Sequence, residues 1–207
     1  EGPDMNSLSV QAASPDFAFD MDLIATGPLV FHGENGFSQK SAEGQASYYY
    51  SQPFYKISGT LNLPEGDIPV TGSAWLDREW SSQPLSDDQK GWDWFSLSFE
   101  NGEKMMGFQL RQSDGNYYTS ATWIDANGET QSYPDGAFMA EPLEETRVAG
   151  RDVPIRWRVR LPDRNLDAEV LALMPKAWMD VSIPYWEGPV GISGSHFGRG
   201  YLEMTGY

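Results

Sequence analysis

The sequence predicts an all-β protein of short antiparallel strands closed into barrels. Three observations carry that expectation. Apolar residues recur with period two, the repeat of a strand that buries one face. Turn-forming residues separate these runs at short intervals. No segment follows the 3.6-residue repeat of a long amphipathic helix.

The strand runs come in chain order. "FAFDMDLI" places Phe17, Phe19, Met21 and Leu23 on one face and Asp20 and Asp22 on the other. "YKISGTLNL" sets Tyr55, Ile57, Leu61 and Leu63 against Lys56, Ser58, Thr60 and Asn62. "IRWRVRL" alternates Ile155, Trp157, Val159 and Leu161 with Arg156, Arg158 and Arg160. The arginine stripe reads as a solvated face, with a binding surface as the alternative. Turns are expected at Pro64, Glu100, Ser113, Asp125 and Pro134, each beside a glycine or Asn/Asp. "PLSDDQKG", from Pro84, reads as a linker or lid with at most one helical turn.

Composition narrows the function. The 207 residues carry 14 Lys and Arg against 30 Asp and Glu, a formal charge of −16. Such a surface repels phosphate backbones and anionic lipid, so nucleic acid is not an expected partner. With no Cys there is no disulfide, no thiol catalysis and no Cys-ligated metal. No run reaches the roughly 18 apolar residues that a spanning helix requires. His32 and His196 lie far apart in sequence, outside any metal-ligand spacing, and read as surface or loop histidines. There is neither a G-x-S-x-G elbow nor a phosphate-binding glycine loop, so no cofactor and no metal are expected.

An internal repeat organises the chain. "YYYSQPFYKISGT" is echoed by "IPYWEGPVGISGS", and "GSAWLD" by "GRGYLE". Trp75, Leu76 and Asp77 match Tyr201, Leu202 and Glu203. A duplicated hairpin implies two barrels: residues 1–88 as the C-terminal part of a first, and residues 89–207 as a complete second. The chain opens at Glu1, not Met, and the first barrel is expected to be incomplete.

The stretches "ASYYYSQP", "GSAWLDREWSSQPL", "GWDWFSLSFENGEKMMGFQLR", "PIRWRVRLP", "YWEGPVGISG" and "GRGYLEMTGY" resemble the lipocalin-like carotenoid 1,2-hydratase (hydroxyneurosporene synthase) and AttH-like family, often labelled predicted secreted hydrolases. The resemblance covers most of the chain in order. It implies tandem lipocalin-like (calycin-type) barrels, with the family's "EWWY"-type N-terminal segment lying before this chain as a partner. It also implies an extracytoplasmic location, a hydrophobic small-molecule ligand, and a hydro-lyase or a cyclase of the Diels–Alder type.

The same resemblance assigns residues. The family's acid falls on Asp77 and the Tyr two before it on Trp75. A His and a Trp of the preceding strand fall on Tyr48 and Tyr50, and the secreted branch's "DHEW" reads "DREW" here, with Arg78 in place of His. On a strand, Trp75, Asp77 and Glu79 share one face while Leu76, Arg78 and Trp80 share the other. Hydration of an alkene needs a proton donor and an aromatic wall for the cation, and Asp77 beside Trp75 supplies both. The expected site is therefore Asp77 as catalytic acid, with Tyr48, Tyr50, Trp75 and Glu79 around an isoprenoid- or polyene-like ligand. Three alternatives stay open: a carboxylate that only closes the barrel, as Glu203 implies; a carrier without chemistry; and support for a site elsewhere in the protein. In "GWDWF", Trp92 and Trp94 share a face opposite Asp93 and read as core fillers, or as a stacking pair for a ligand. Met105 and Met106 suit ordinary core filling or an adaptable apolar cavity.

Overall fold

The computed structural model describes residues 5–82 and 85–207. Within them the strands follow as β1 (Ser7–Ala13), β2 (Ala18–Ala25), β3 (Val30–Phe31), β4 (Phe37–Gln39), β5 (Ala46–Leu63), β6 (Gly66–Trp80), β7 (Gln89–Phe99), β8 (Lys104–Gln112), β9 (Tyr117–Ile124), β10 (Thr130–Tyr133), β11 (Met139–Val148), β12 (Arg151–Leu161), β13 (Leu166–Ala172), β14 (Trp178–Met179), β15 (Tyr185–Gly194) and β16 (Gly198–Thr205). The described helical structure is one 3-10 turn, Pro162–Arg164. Of the segment expected as a linker, Pro84 lies outside the described residues, Asp87 and Asp88 form a turn, and Gln89–Gly91 already belong to β7. The chain forms two compact units: residues 1–30 with 50–78, and residues 31–49 with 79–207.

In the first unit, β2 lies between β1 and β5. The register sets Leu8 beside Leu23 and Val10 beside Met21, then Leu23 beside Ile57 and Phe19 beside Leu61. One face is therefore apolar. On the other, Ser9 donates to Asp22 at 2.7 Å and Gln11 to Asp20 at 3.0 Å. The period-two pattern of the sequence becomes two chemically distinct faces of one sheet. β5 and β6 form a hairpin through the expected turn at Pro64 and Glu65, closed by Gly66 at φ +130°.

The second unit is a ten-stranded antiparallel sheet in the order β10-β9-β8-β7-β16-β15-β13-β12-β11, with β14 on β15. Turns at Glu100, Ser113 and Asp125 join β7 to β8, β8 to β9 and β9 to β10. Phe95 of β7 and Trp157 of β12 stand four strands apart in that order, about 19 Å on a flat sheet. Their ring centroids are nevertheless 5.6 Å apart, so the sheet curls and the two rings meet across its interior. The expected inward set of β12, namely Ile155, Trp157, Val159 and Leu161, is buried there with Phe138, Trp123, Trp186, Leu202 and Met204. Each such side chain stabilises the fold by roughly 1.5–3 kcal/mol. The arginine stripe faces outward: Arg158 binds Asp167 through both Nε and Nη2, and Arg156 lies 3.1 Å from Glu144. Gly200 of "GRGYLE" lies against β7, where a Cβ would stand 2.3 Å from the Ser96 carbonyl oxygen.

β8 is buried on both faces. Met105 belongs to the core, while Met106 and Phe108 point the other way. Residues 31–49 of the same unit cover that second face. The Lys40 ammonium lies 4.0 Å above the Phe108 ring, and the Trp94 indole donates to the Tyr49 hydroxyl at 2.9 Å. Sequence order places residues 31–49 in the first half of the chain; packing places them in the second unit.

Candidate functional site

The β5–β6 hairpin sorts the expected site residues onto two faces. In the first unit, Asp77 Oδ1 accepts the Trp75 indole N–H at 3.0 Å and a short hydrogen bond from the buried Ser51 hydroxyl. Asp77 is exposed and Trp75 half-buried. In the second unit, Glu79 accepts from Ser47 at 2.5 Å and lies 2.8 Å from Lys40 Nζ. Asp77 and Glu79 alternate with Arg78 along β6, as the sequence requires.

Tyr48 is on the opposite face. It stacks on Trp80 with centroids 5.9 Å apart and meets the edge of Phe37 at 6.2 Å. Tyr50, the next expected site residue, is half-buried and belongs to the first unit. Phe37, Tyr48 and Trp80 are each about half exposed and form an aromatic row across β4, β5 and β6. The structure thus joins Trp75 to Asp77 within the first unit, and Tyr48 to Trp80 and Phe37 within the second.

In the second hairpin, β15–β16, the matching acid also holds an indole, but one from the neighbouring strand β7. Glu203 accepts the Trp92 indole N–H at 2.7 Å, while Leu202 and Met204 on either side enter the core. An indole on a carboxylate therefore occurs at both copies of the repeat. Glu203 lies opposite Glu187 in the register. Burial and the Glu187 carboxylate hold the Tyr201 hydroxyl above the ordinary tyrosine range.

Two polar groups inside the second unit were not legible as such in the sequence. Asp93 is fully buried on the core face, and Trp92 and Trp94 stand half-buried on the other. This reverses the reading of the tryptophans as the core fillers of "GWDWF". Asp93 accepts from the Tyr207 hydroxyl at 2.8 Å and the Gln109 amide at 2.8 Å, with Arg111 Nε at 3.3 Å. Arg111 also stacks on the Tyr207 ring at 3.9 Å. Burial raises the Asp93 pKa, and Arg111, Gln109 and Tyr207 partly offset the rise.

His32 sits in a loop, one of the two placements expected for it, but is fully buried there and not at the surface. Its Nδ1 lies 3.0 Å from Thr122 Oγ1 and its ring 4.3 Å from that of Tyr49. Burial first, and the Lys40 charge second, push its pKa down to about 3, so it is neutral at neutral pH. A loop histidine is drawn inside here because residues 31–49 cover the sheet. His196 does occupy a loop, the turn between β15 and β16, against Phe99 at 4.9 Å. Among the described residues, no group of three or more His, Asp or Glu could hold a metal ion. Nor is any described helix long and apolar enough to cross a membrane.

A curled antiparallel sheet with its core inside, together with hairpins that carry repeated Trp–carboxylate bonds, defines an all-β protein of lipocalin-like build. The chain belongs to the AttH-like family, whose model matches residues 1–207. It is similar to the crystal structure of an AttH homologue from Nitrosomonas europaea, with 37% identity and a TM-score of 0.89 over 96% of this chain and 65% of that one. It is also similar in fold to kievitone hydratase from Nectria haematococca, with 20% identity and a TM-score of 0.80 over 97% of this chain and 64% of that one. The chain thus spans just under two thirds of each of these proteins. Among curated proteins, none matches.

Proposed function

We propose that this AttH-like protein binds an apolar small molecule of isoprenoid or polyene type. The observation that carries the reading is the aromatic row of Phe37, Tyr48 and Trp80, in which Tyr48 stacks on Trp80 and meets Phe37 edge-on, half open to solvent. Aromatic faces held in a row by strand backbones offer a rigid apolar platform at little entropic cost. Binding of a polyene probe, followed by tryptophan fluorescence, tests this directly. Tyr48→Ala and Trp80→Ala are expected to weaken binding at least tenfold, and unchanged binding in both would defeat the proposal.

A chemical reading rests on Asp77 and the likeness in fold to a hydratase. In it the Asp77 carboxyl protonates an isolated double bond. The resulting cation forms beside Trp75, and water adds at the more substituted carbon. The oxygen of that water then returns a proton to the carboxylate, so the net change is addition of one water. Ser51 and the Trp75 N–H fix the direction of Oδ1 for this step. Asp77→Asn tests it with an isoprenoid polyene that carries an isolated terminal double bond: binding is kept and the hydrated product is lost. Unchanged turnover excludes Asp77 as the acid.

The Glu203–Trp92 bond favours the rival reading of a carboxylate that only closes the barrel, because it accounts for such a group without any substrate. We include in the proposal that chain corresponding to the remaining third of the relatives completes the first barrel. The apolar face of β1, β2 and β5 supports this, since Val10 is exposed there and Met21 and Ile57 only half-buried.

A further inference from the structure

Three hydrogen-bond donors meet on one face of residues 31–49. Ser38 of β4 pairs directly with Ser47 of β5, so their side chains share a face. Lys40, two residues beyond Ser38, stands on that face as well, its amide donating to the Gln45 carbonyl at 2.7 Å. Phe37 and Tyr48 alternate with them and point the other way. Glu79 completes the set. Its Oε1 accepts from the Ser47 hydroxyl at 2.5 Å and lies 2.8 Å from Lys40 Nζ. All four residues belong to the second unit.

Two features go beyond an ordinary ion pair. The Ser38 hydroxyl is 1% exposed, yet it has no hydrogen-bond partner among the described residues. A buried donor left unpaired is costly, and a native fold that keeps one leaves room for an acceptor from outside. The second feature is the order of exposure. The Glu79 side chain is 40% exposed and that of Lys40 19%, whereas both serines are buried. The carboxylate thus stands on the solvent side, and the donors lie behind it. An ammonium and two hydroxyls converging on one point are a donor set for a carboxylate. The Phe108 ring, 4.0 Å from Lys40 Nζ, holds the ammonium in place. Glu79 uses two of the three donors, and the Ser38 hydroxyl is left for an acceptor that reaches deeper. One ammonium balances one negative charge on a chain that carries −16, so a monoanion is admitted and a phosphate dianion is opposed.

We propose that Ser38, Lys40 and Ser47 form a binding site for a monoanionic carboxylate ligand, and that Glu79 is a built-in occupant which the ligand displaces. The site lies on the opposite face of β4 and β5 from Phe37 and Tyr48, and it does not depend on the role of the aromatic row.

Titration calorimetry of the full chain with octanoate at low salt tests the proposal. Wild type is expected to bind weakly, because Glu79 competes. Glu79→Gln is expected to bind about tenfold more tightly, the order of one hydrogen bond to a charged group. Glu129→Gln removes the same charge from the exposed turn before β10 and is expected to bind as wild type does. In the Glu79→Gln background, Lys40→Met keeps an apolar stem over Phe108 and is expected to lose octanoate. Ser38→Ala in that background is expected to weaken octanoate about threefold or more while unfolding no earlier than its parent, since it deletes an unpaired hydroxyl. A serine with a structural role alone would leave the affinity unchanged. The proposal is overturned if Glu79→Gln gains nothing over Glu129→Gln, or if either further variant binds octanoate as its parent does. It is also overturned if octanol or inorganic phosphate binds as tightly as octanoate. Polyene binding to Tyr48→Ala and Trp80→Ala is a separate readout, so failure of one site leaves the other standing.

Discussion

Ser51, buried on β5, donates its hydroxyl proton to Asp77 on the neighbouring strand β6. One short polar side chain thus fixes the orientation of the carboxylate most central to the proposed chemistry. Replacing it removes a single hydrogen bond and leaves the Trp75 indole in place. Ser51→Ala is therefore expected to cost about 1 kcal/mol in denaturant unfolding. The same variant is expected to lower turnover more than ligand affinity, because it loosens the carboxylate and leaves the aromatic row intact.

His32 makes stability depend on acid. Its pKa is about 3 in the fold and 6.5 as a free side chain, so the unfolded chain binds the additional proton between these values. Stability then rises with pH across that window and falls as pH drops from 6.5 toward 3, at up to about 1.4 kcal/mol per pH unit from this group. Unfolding curves of wild type and His32→Gln are expected to converge as the pH is lowered, because only wild type carries this loss. A constant offset between the two would contradict it.

Asp93 runs the other way. Its folded pKa is raised, so its contribution is fully present below the ordinary carboxylate range and declines as pH climbs through the folded value. Tyr207 offsets part of that decline by donating to the ionised carboxylate. Tyr207→Phe is expected to cost about 1 kcal/mol while the Asp93 carboxyl is protonated, and about 1.5–3 kcal/mol once pH has climbed through its raised folded value, the range for hydrogen bonds to charged groups. A cost that stays level across the whole pH range of the folded protein would contradict this.

The Lys40–Glu79 pair is weaker than its 2.8 Å separation implies. Glu79 is partly exposed, and water screens the attraction. Lys40→Met keeps an apolar stem over Phe108 and is expected to change stability by less than about 1 kcal/mol. Lys40→Ala, which strips that stem from the ring, is expected to cost more in the same measurement.

Much of the fold was legible because period-two alternation has one physical cause. "IRWRVRL" buries Ile155, Trp157, Val159 and Leu161 and leaves its arginines to cross-strand carboxylates. The turns at Pro64, Glu100, Ser113 and Asp125 join the strands on either side of them. The pairing of Trp75 with Asp77 could be read from residues two apart on one strand. Alternation failed where both faces of a sheet are covered. Along β7, Trp92 and Trp94 alternate with Asp93, and size alone would send the tryptophans inward. The core instead takes Asp93, because Tyr207, Gln109 and Arg111 satisfy it from distant strands. His32 escaped for the same reason: its partners Thr122 and Tyr49 are distant in sequence or on another strand. A free carboxylate in a core-facing row was the one signal that pointed to such a cluster.

The aromatic row of Phe37, Tyr48 and Trp80 is proposed to hold an apolar ligand, and native mass spectrometry of the protein purified from its own host tests this most directly. A bound apolar molecule is expected, lost from a Tyr48→Ala, Trp80→Ala variant of unchanged fold. A protein that carries no such molecule, and takes none up from added polyene, would contradict it.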